Sequence, residues 1–187
     1  YLAEFAALDC LAFLSRRPHL VVFKKGLYWR RKALRLLARD ARIVTRFIVR
    51  KSFSGNVKTI SLDPTDARRE YVENMYDSDF VLAPKGDGNS SIRFYEAISM
   101  GRVPILIDTD MIFPMEDLVH YDDFILRVPY AEINRLADIV VAFYANLSEE
   151  RFIAMQKAAR AAYGQYLRYD AFFNTLFAHV LTPGNQR

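Results

Sequence analysis

Residues 79–114 read DFVLAPKGDGNSSIRFYEAISMGRVPILIDTDMIFP, and the fold turns on this stretch. Residues 79–83 are a short apolar run that predicts a buried strand, Pro84 to Asn89 a tight glycine loop, and residues 90–100 a helix. Gly101 stops that helix, and Val103, Pro104, Ile105, Leu106 and Ile107 then predict a second buried strand. Strand, loop, helix and strand within about thirty residues is the size of a βαβ unit, whose two strands must run parallel.

Upstream, Pro64 stands at a helix start, and Ala67, Tyr71, Val72 and Met75 carry the helix to about residue 77, where the chain enters the first strand. Before it, residues 2–14 show helical apolar spacing and residues 19–23 predict a strand. Residues 30–41 predict a helix with an apolar stripe at Leu34, Leu37 and Ala38 opposite Arg31, Arg35, Arg39 and Arg42. Residues 43–49 alternate in the manner of a strand, and 52–63 read as loop. Downstream come one helical turn at 116–119, a strand over 123–128, a helix over 130–145 and a longer helix over 148–181 with acidic residues in its first turn. This alternation predicts an α/β chain with a Rossmann-like, doubly wound parallel sheet followed by C-terminal helices. The expected division is a packing helix over 1–18, a Rossmann-like ligand-binding domain over 19–147 and a helical segment packed on it over 148–187.

With 187 residues, 52% of them hydrophobic, the chain can bury one substantial core. Its formal charge of +4 hides an asymmetry: residues 24–51 hold eleven Lys or Arg against Asp40 alone, and the rest is net negative. Such a local positive field suits an anionic ligand, and a solvated basic helix is the competing reading. The single cysteine, Cys10, cannot close an internal disulfide, and His19, His120 and His179 form no ligand pair, so neither a thiol nucleophile nor a zinc site is expected. No apolar run has the length of a membrane span, which predicts a soluble chain. Tyr1 rather than Met opens the sequence, so a trimmed chain with an N-terminal partner domain is a further expectation.

Chemistry concentrates in the glycine loop. Lys85, Gly86, Asp87, Gly88, Asn89, Ser90 and Ser91 combine small residues, backbone amides and a helix start, the ingredients of an anion site. The loop lacks the third glycine of a dinucleotide fingerprint and the Gly-Lys-Ser/Thr of a P-loop, and a plain strand-to-helix turn is its alternative. Arg93 and Glu96 lie three apart on one helix face. Spacing alone favours a surface ion pair, and the functional alternative has Arg93 on phosphate with Glu96 accepting from a ribose diol. Asp108, Thr109 and Asp110 resemble a metal-holding Asp-x-Asp, but two acids at a strand end are also common turn residues. Tyr28, Trp29, Phe47 and Phe53, interleaved with Arg and Lys, read as core and rim packing rather than a nucleic-acid groove.

Three motifs together resemble the exostosin-type family of glycosyltransferases, the group that elongates heparan backbones and decorates plant wall polysaccharides. They are the Pro84-Lys85-Gly86 loop, Ser91-Ile92-Arg93-Phe94-Tyr95-Glu96-Ala97, and Gly101-Arg102-Val103-Pro104. Asp110 and Pro114-Met115 stand where the family has Asp and Pro-Phe, and Tyr121 stands where it has tryptophan ahead of the Phe124-Ile125 strand. The resemblance implies the nucleotide-sugar-binding C-terminal half of a two-domain GT-B enzyme, using a UDP-sugar donor and a glycan acceptor, with no metal in the site and no cofactor. It further implies that Arg93 and Glu96 are the catalytic pair, and that Gly26, Arg30, Lys85, Gly86, Asp87, Gly88, Asn89, Ser90 and Ser91 join them around the donor nucleotide. Lys24 and Lys25 would add positive charge nearby. The implied partners are the donor, the acceptor and an N-terminal acceptor domain, with no nucleic acid. The expected compartment is the cytoplasm, with the lumenal side of a Golgi membrane as the alternative for a eukaryotic full-length enzyme. A non-catalytic module that binds nucleotide sugars or polyanions is the competing function.

Overall fold

The computed structural model describes residues 25–49, 63–86 and 89–181. The helix expected over 2–14, the strand expected over 19–23 and most of the 52–63 loop lie outside the described residues, as do Cys10, Lys24, Asp87 and Gly88.

Among the described residues the sheet has three parallel strands, β1 (Phe80–Ala83), β2 (Val103–Asp108) and β3 (Leu126–Pro129), paired in that order. Leu82 stands beside Ile105, Ile105 beside Leu126, and Asp108 beside Pro129, so all three strands end at one edge. The helices are α1 (Lys25–Arg39), α2 (Pro64–Tyr76), α3 (Ile92–Ser99), α4 (Leu136–Ala145), α5 (Glu149–Ala162) and α6 (Tyr169–Leu181).

Alternation along β2 explains the layers. Ile105 and Ile107 join Leu82, Leu126 and Val128 in one core, closed by Ala33 and Leu37 of α1 and by Leu136 and Val140 of α4. Leu106 points the other way and joins Ala83, closed by Phe94 and Ile98 of α3 and Ala159 and Ala162 of α5. A sheet covered on both faces needs apolar side chains on both, which is why β2 is nearly continuous hydrophobic sequence. A smaller cluster of Met75, Val81 and Ala97 ties α2 to β1 and α3. The result is the Rossmann-like α/β sheet with helices on either side that the 79–114 stretch predicts.

Gly101 ends α3 by a specific device. Its φ is 64°, its N–H donates to Ile98 O at 3.0 Å, and the N–H of Arg102 donates to Ala97 O at 2.9 Å. These are the two bonds of a Schellman C-cap, which needs a left-handed residue at this position.

Several expectations are corrected. Residues 43–49 form no strand. Their alternation reflects one-sided burial: Ile43 and Phe47 pack on the α1–α4 core while Val44 and Val49 stay exposed. Asn74 Nδ2 donates to Arg46 O at 2.6 Å, taking a carbonyl that a ladder would need, and Arg46 pairs with Asp77 at 3.0 Å. The helix expected over 30–41 starts five residues earlier, because the stripe of Ala33 and Leu37 extends back one turn to Trp29, which packs into the same core. The strand expected over 123–128 is shifted to Leu126–Pro129, with a 3-10 turn at Tyr121–Asp123 before it. Residues 130–145 begin as a 3-10 helix (Tyr130–Arg135) and become α only at Leu136. At 115–119 the helical turn is a single i to i+4 closure, Val119 N–H to Met115 O at 2.8 Å. The long helix over 148–181 is cut by a π-helical turn at Tyr163–Leu167 and by Arg168, whose extended backbone (ψ 141°) starts α6 afresh.

Candidate functional site

In an open parallel sheet the crevice beyond the carboxyl ends of the strands is where ligands sit. Here that edge gathers Lys85 and Gly86 after β1, and Asp108, Thr109 and Asp110 at the end of β2. Lys85 is only 4% exposed. Removing an ammonium from water disfavours its charge, so burial pulls the Lys85 pKa below its ordinary value. A buried cation at the mouth of a strand-to-helix loop is electrostatically suited to an anion.

The loop is closed by its own backbone, Gly86 N–H donating to Ser90 O at 3.0 Å. A Cβ on Gly86 would sit 3.4 Å from that same oxygen. Asn89 fastens the loop to its neighbour: its Nδ2 donates to Thr109 O and to Asp110 O, each at 3.0 Å, and its Oδ1 accepts from the Thr109 hydroxyl. The Asn89 side chain thus holds the loop against the end of β2. Ser90 is exposed, whereas Ser91 is buried at the N-cap of α3 without a side-chain capping bond. Phe94 N–H donates to Ser91 O at 3.1 Å, while the amides of Ile92 and Arg93, the first two of α3, have no carbonyl one turn back within the helix and stand at its loop end.

One turn into α3 stands a second cluster. Arg93 and Glu96 form no ion pair with each other; Tyr71 of α2 stands between them. The Tyr71 hydroxyl donates to Glu96 Oε2 and accepts from Arg93 Nε at 3.3 Å, and the Arg93 guanidinium lies 5.2 Å from the centre of the Tyr71 ring. Burial and the adjacent Glu96 carboxylate together push the Tyr71 pKa up, and the Arg93 charge opposes them. The surface i,i+3 pair that spacing favours is therefore replaced by a three-residue arrangement across two helices. Tyr71 escapes sequence reasoning because it falls on the apolar stripe of its helix and reads as packing.

Asp108 behaves as a turn residue. Its Oδ1 accepts from Met111 N–H at 3.0 Å, and its Oδ2 pairs with Arg127 at 3.2 Å. Arg127 lies 5.1 Å over the Phe113 ring and also meets Asp122 at 3.2 Å. Asp110 takes a φ of 60°, a conformation that aspartate tolerates. Among the described residues no group of three His, Cys, Asp or Glu is arranged to hold a metal ion.

The remaining predicted residues stand on α1. Gly26 lies in the first turn of that helix, and Arg30 is exposed on it. Trp29 packs edge-on against Tyr130, which follows β3, at 5.9 Å between ring centres. Its indole N–H is buried without a hydrogen-bond partner among the described residues. No helix among the described residues is long and apolar enough to cross a membrane.

Comparison with known proteins places these residues in a family. The chain is 30% identical over 109 residues to a probable glycosyltransferase of Arabidopsis thaliana, covering 55% of this chain and 22% of the relative. It is 28% identical over 101 residues to an exostosin-1 homolog of Caenorhabditis elegans, covering 54% of this chain and 25% of the relative. A probable beta-1,4-xylosyltransferase of Arabidopsis thaliana is 27% identical over 99 residues, covering 52% of this chain and 24% of the relative. The matched stretch thus spans about a quarter or less of each of these relatives. The profile of the Exostosin GT47 domain matches residues 11–143, well over half of the chain, and the chain belongs to that family.

Proposed function

We propose that this chain is the donor-binding half of a glycosyltransferase that moves a sugar from a nucleoside diphosphate, UDP by preference, to a hydroxyl of a glycan acceptor. The observation that carries the reading is the match to the Exostosin GT47 domain across the α/β domain that holds the Lys85 loop and the Arg93 helix. The relatives, among them a probable glycosyltransferase and a probable beta-1,4-xylosyltransferase, carry names of the same chemistry.

In the proposed reaction the acceptor oxygen attacks the anomeric carbon from the face opposite the diphosphate. The bond from that carbon to the phosphate oxygen breaks with its electron pair, so negative charge grows on the leaving diphosphate. Lys85, Arg93 and the amides at the start of α3 bind that charge more tightly as it develops, which lowers the barrier without covalent catalysis. Glu96 accepts from the ribose hydroxyls and fixes the nucleotide. The acceptor proton passes to a base outside the described residues, in the proposed acceptor-binding half of the whole protein. The site works with diphosphate and cationic side chains and takes no metal in this reading.

Titration calorimetry of the chain with UDP tests it. Saturable UDP binding that weakens in Arg93→Ala and Glu96→Gln is the expected result. Absence of UDP binding, or binding that neither substitution changes, overturns the assignment. Salt-sensitive binding to polyanions without UDP binding would instead favour a module that uses the basic face of α1.

A further inference from the structure

We infer that Tyr71 is a positioning residue of the donor site, a spacer that keeps Arg93 and Glu96 apart and aimed at different parts of the nucleotide. The inference rests on the donor-binding reading above.

On a helix, Arg and Glu three residues apart are close enough to pair, and a forked guanidinium-carboxylate pair would satisfy both charges at once. Such a pair would leave neither group available to a ligand. In this structure they do not pair. Tyr71 reaches from α2 to the gap between them, and its single hydroxyl serves both, accepting from Arg93 Nε at 3.3 Å and donating to Glu96 Oε2. The consequence is a division of donors and acceptors. Among the described residues Nε of the Arg93 guanidinium is engaged, and no partner among them meets Nη1 or Nη2. Glu96 gives Oε2 to the tyrosine, and its Oε1 meets no donor among the described residues.

The unused groups define the ligand chemistry. Two terminal guanidinium nitrogens form a planar fork suited to phosphate oxygens. A carboxylate oxygen is an acceptor for a vicinal diol. The Arg93 guanidinium lies over the Tyr71 ring, 5.2 Å from the ring centre, which limits the rotamers of a long side chain before the ligand arrives. Preorganisation of this kind lowers the ordering cost of binding. Tyr71 would touch neither phosphate nor sugar and would act only through its two neighbours.

Tyr71→Phe isolates the claim, since the ring and its stacking remain and only the hydroxyl goes. We expect UDP affinity of the 187-residue chain to fall about tenfold on loss of a hydrogen bond to a charged group, with the thermal midpoint within about 2 °C of wild type. The preference for UDP over 2′-deoxy-UDP should narrow, because Glu96 is no longer held for the diol. In a Glu96→Gln background the Tyr71→Phe effect should shrink, the signature of residues acting through one another. If Arg93→Ala and Glu96→Gln weaken UDP binding while Tyr71→Phe binds UDP and discriminates 2′-deoxy-UDP as wild type does, the spacer role is wrong and the donor site stands. If UDP binding is absent or untouched by all three substitutions, the donor-site reading fails and the spacer role with it.

Discussion

Asn89 and Thr109, twenty residues apart, are joined side chain to side chain and side chain to backbone. The amide of Asn89 donates to Thr109 O at 3.0 Å while its carbonyl accepts the Thr109 hydroxyl. A third bond to Asp110 O at 3.0 Å completes the clasp. The clasp ties the loop after β1 to the end of β2, so the two walls of the carboxyl-edge crevice are set by one side chain.

Breaking the clasp should loosen the site before it unfolds the domain. Asn89→Ala removes all three bonds and leaves Thr109 half satisfied, for an expected loss of about 1–3 kcal/mol. Asn89→Asp should be worse than Asn89→Ala above the carboxylate pKa, because it sets a charged acceptor against two carbonyl oxygens. Urea midpoints at neutral pH rank the three proteins, and UDP affinity should fall in the same order.

Gly101 offers a test of the framework behind the site. Its φ of 64° suits glycine, and a Cβ would stand 3.3 Å from Gln156 O of α5. Gly101→Ala therefore combines the left-handed penalty with a tight approach between α3 and α5, and should cost about 1–2 kcal/mol. Gly101→Asn tolerates the backbone angle better but keeps the close approach, so it should fall between glycine and alanine in a thermal melt.

The βαβ unit was readable because local and global signals agree there: apolar runs buried on both faces of β1 and β2, and a glycine that the C-cap of α3 requires. Residues 43–49 misled because period-two burial marks any segment lying on a core with one side exposed, and nothing in the sequence says whether a partner strand is present. Arg93 and Glu96 were visible as a pair by spacing, yet their actual relationship depends on Tyr71, 22 residues before Arg93 and on another helix. Long-range clasps such as Asn89 to Thr109 leave no periodic trace, and only packing of the finished sheet brings them together.

Lys85 predicts two opposite pH effects. Burial places its pKa below the ordinary 10.5, so in the window between that lowered value and 10.5 the unfolded chain binds more protons than the folded one. Its contribution to folding stability should therefore rise with pH through that window. Anion binding has the reverse sign, because the bound diphosphate favours the charged form that rising pH removes. UDP affinity should decline as pH rises through that same window below 10.5 in the wild type, and the Lys85-dependent part of that decline should vanish in Lys85→Met. Calorimetric titrations and urea midpoints across that range separate the two.

Asp108 distinguishes a turn from a metal ligand. Both its oxygens are engaged, one by the Met111 amide at 3.0 Å and the other by Arg127 at 3.2 Å, and Arg127 is itself held over Phe113. A divalent cation bound at Asp108 would have to displace a guanidinium and accept its positive charge close by, which opposes binding. Asp108→Asn keeps an acceptor for the turn and forfeits only a partly exposed ion pair, so it should cost about 1 kcal/mol or less. Asp108→Ala also orphans the Met111 amide and should cost about 1–3 kcal/mol. UDP affinity should be the same with a chelator or with added manganese, and Asp108→Asn should retain it. An affinity that rises with manganese and loses that rise in Asp108→Asn would place a metal at the strand end and reverse this reading of Asp108.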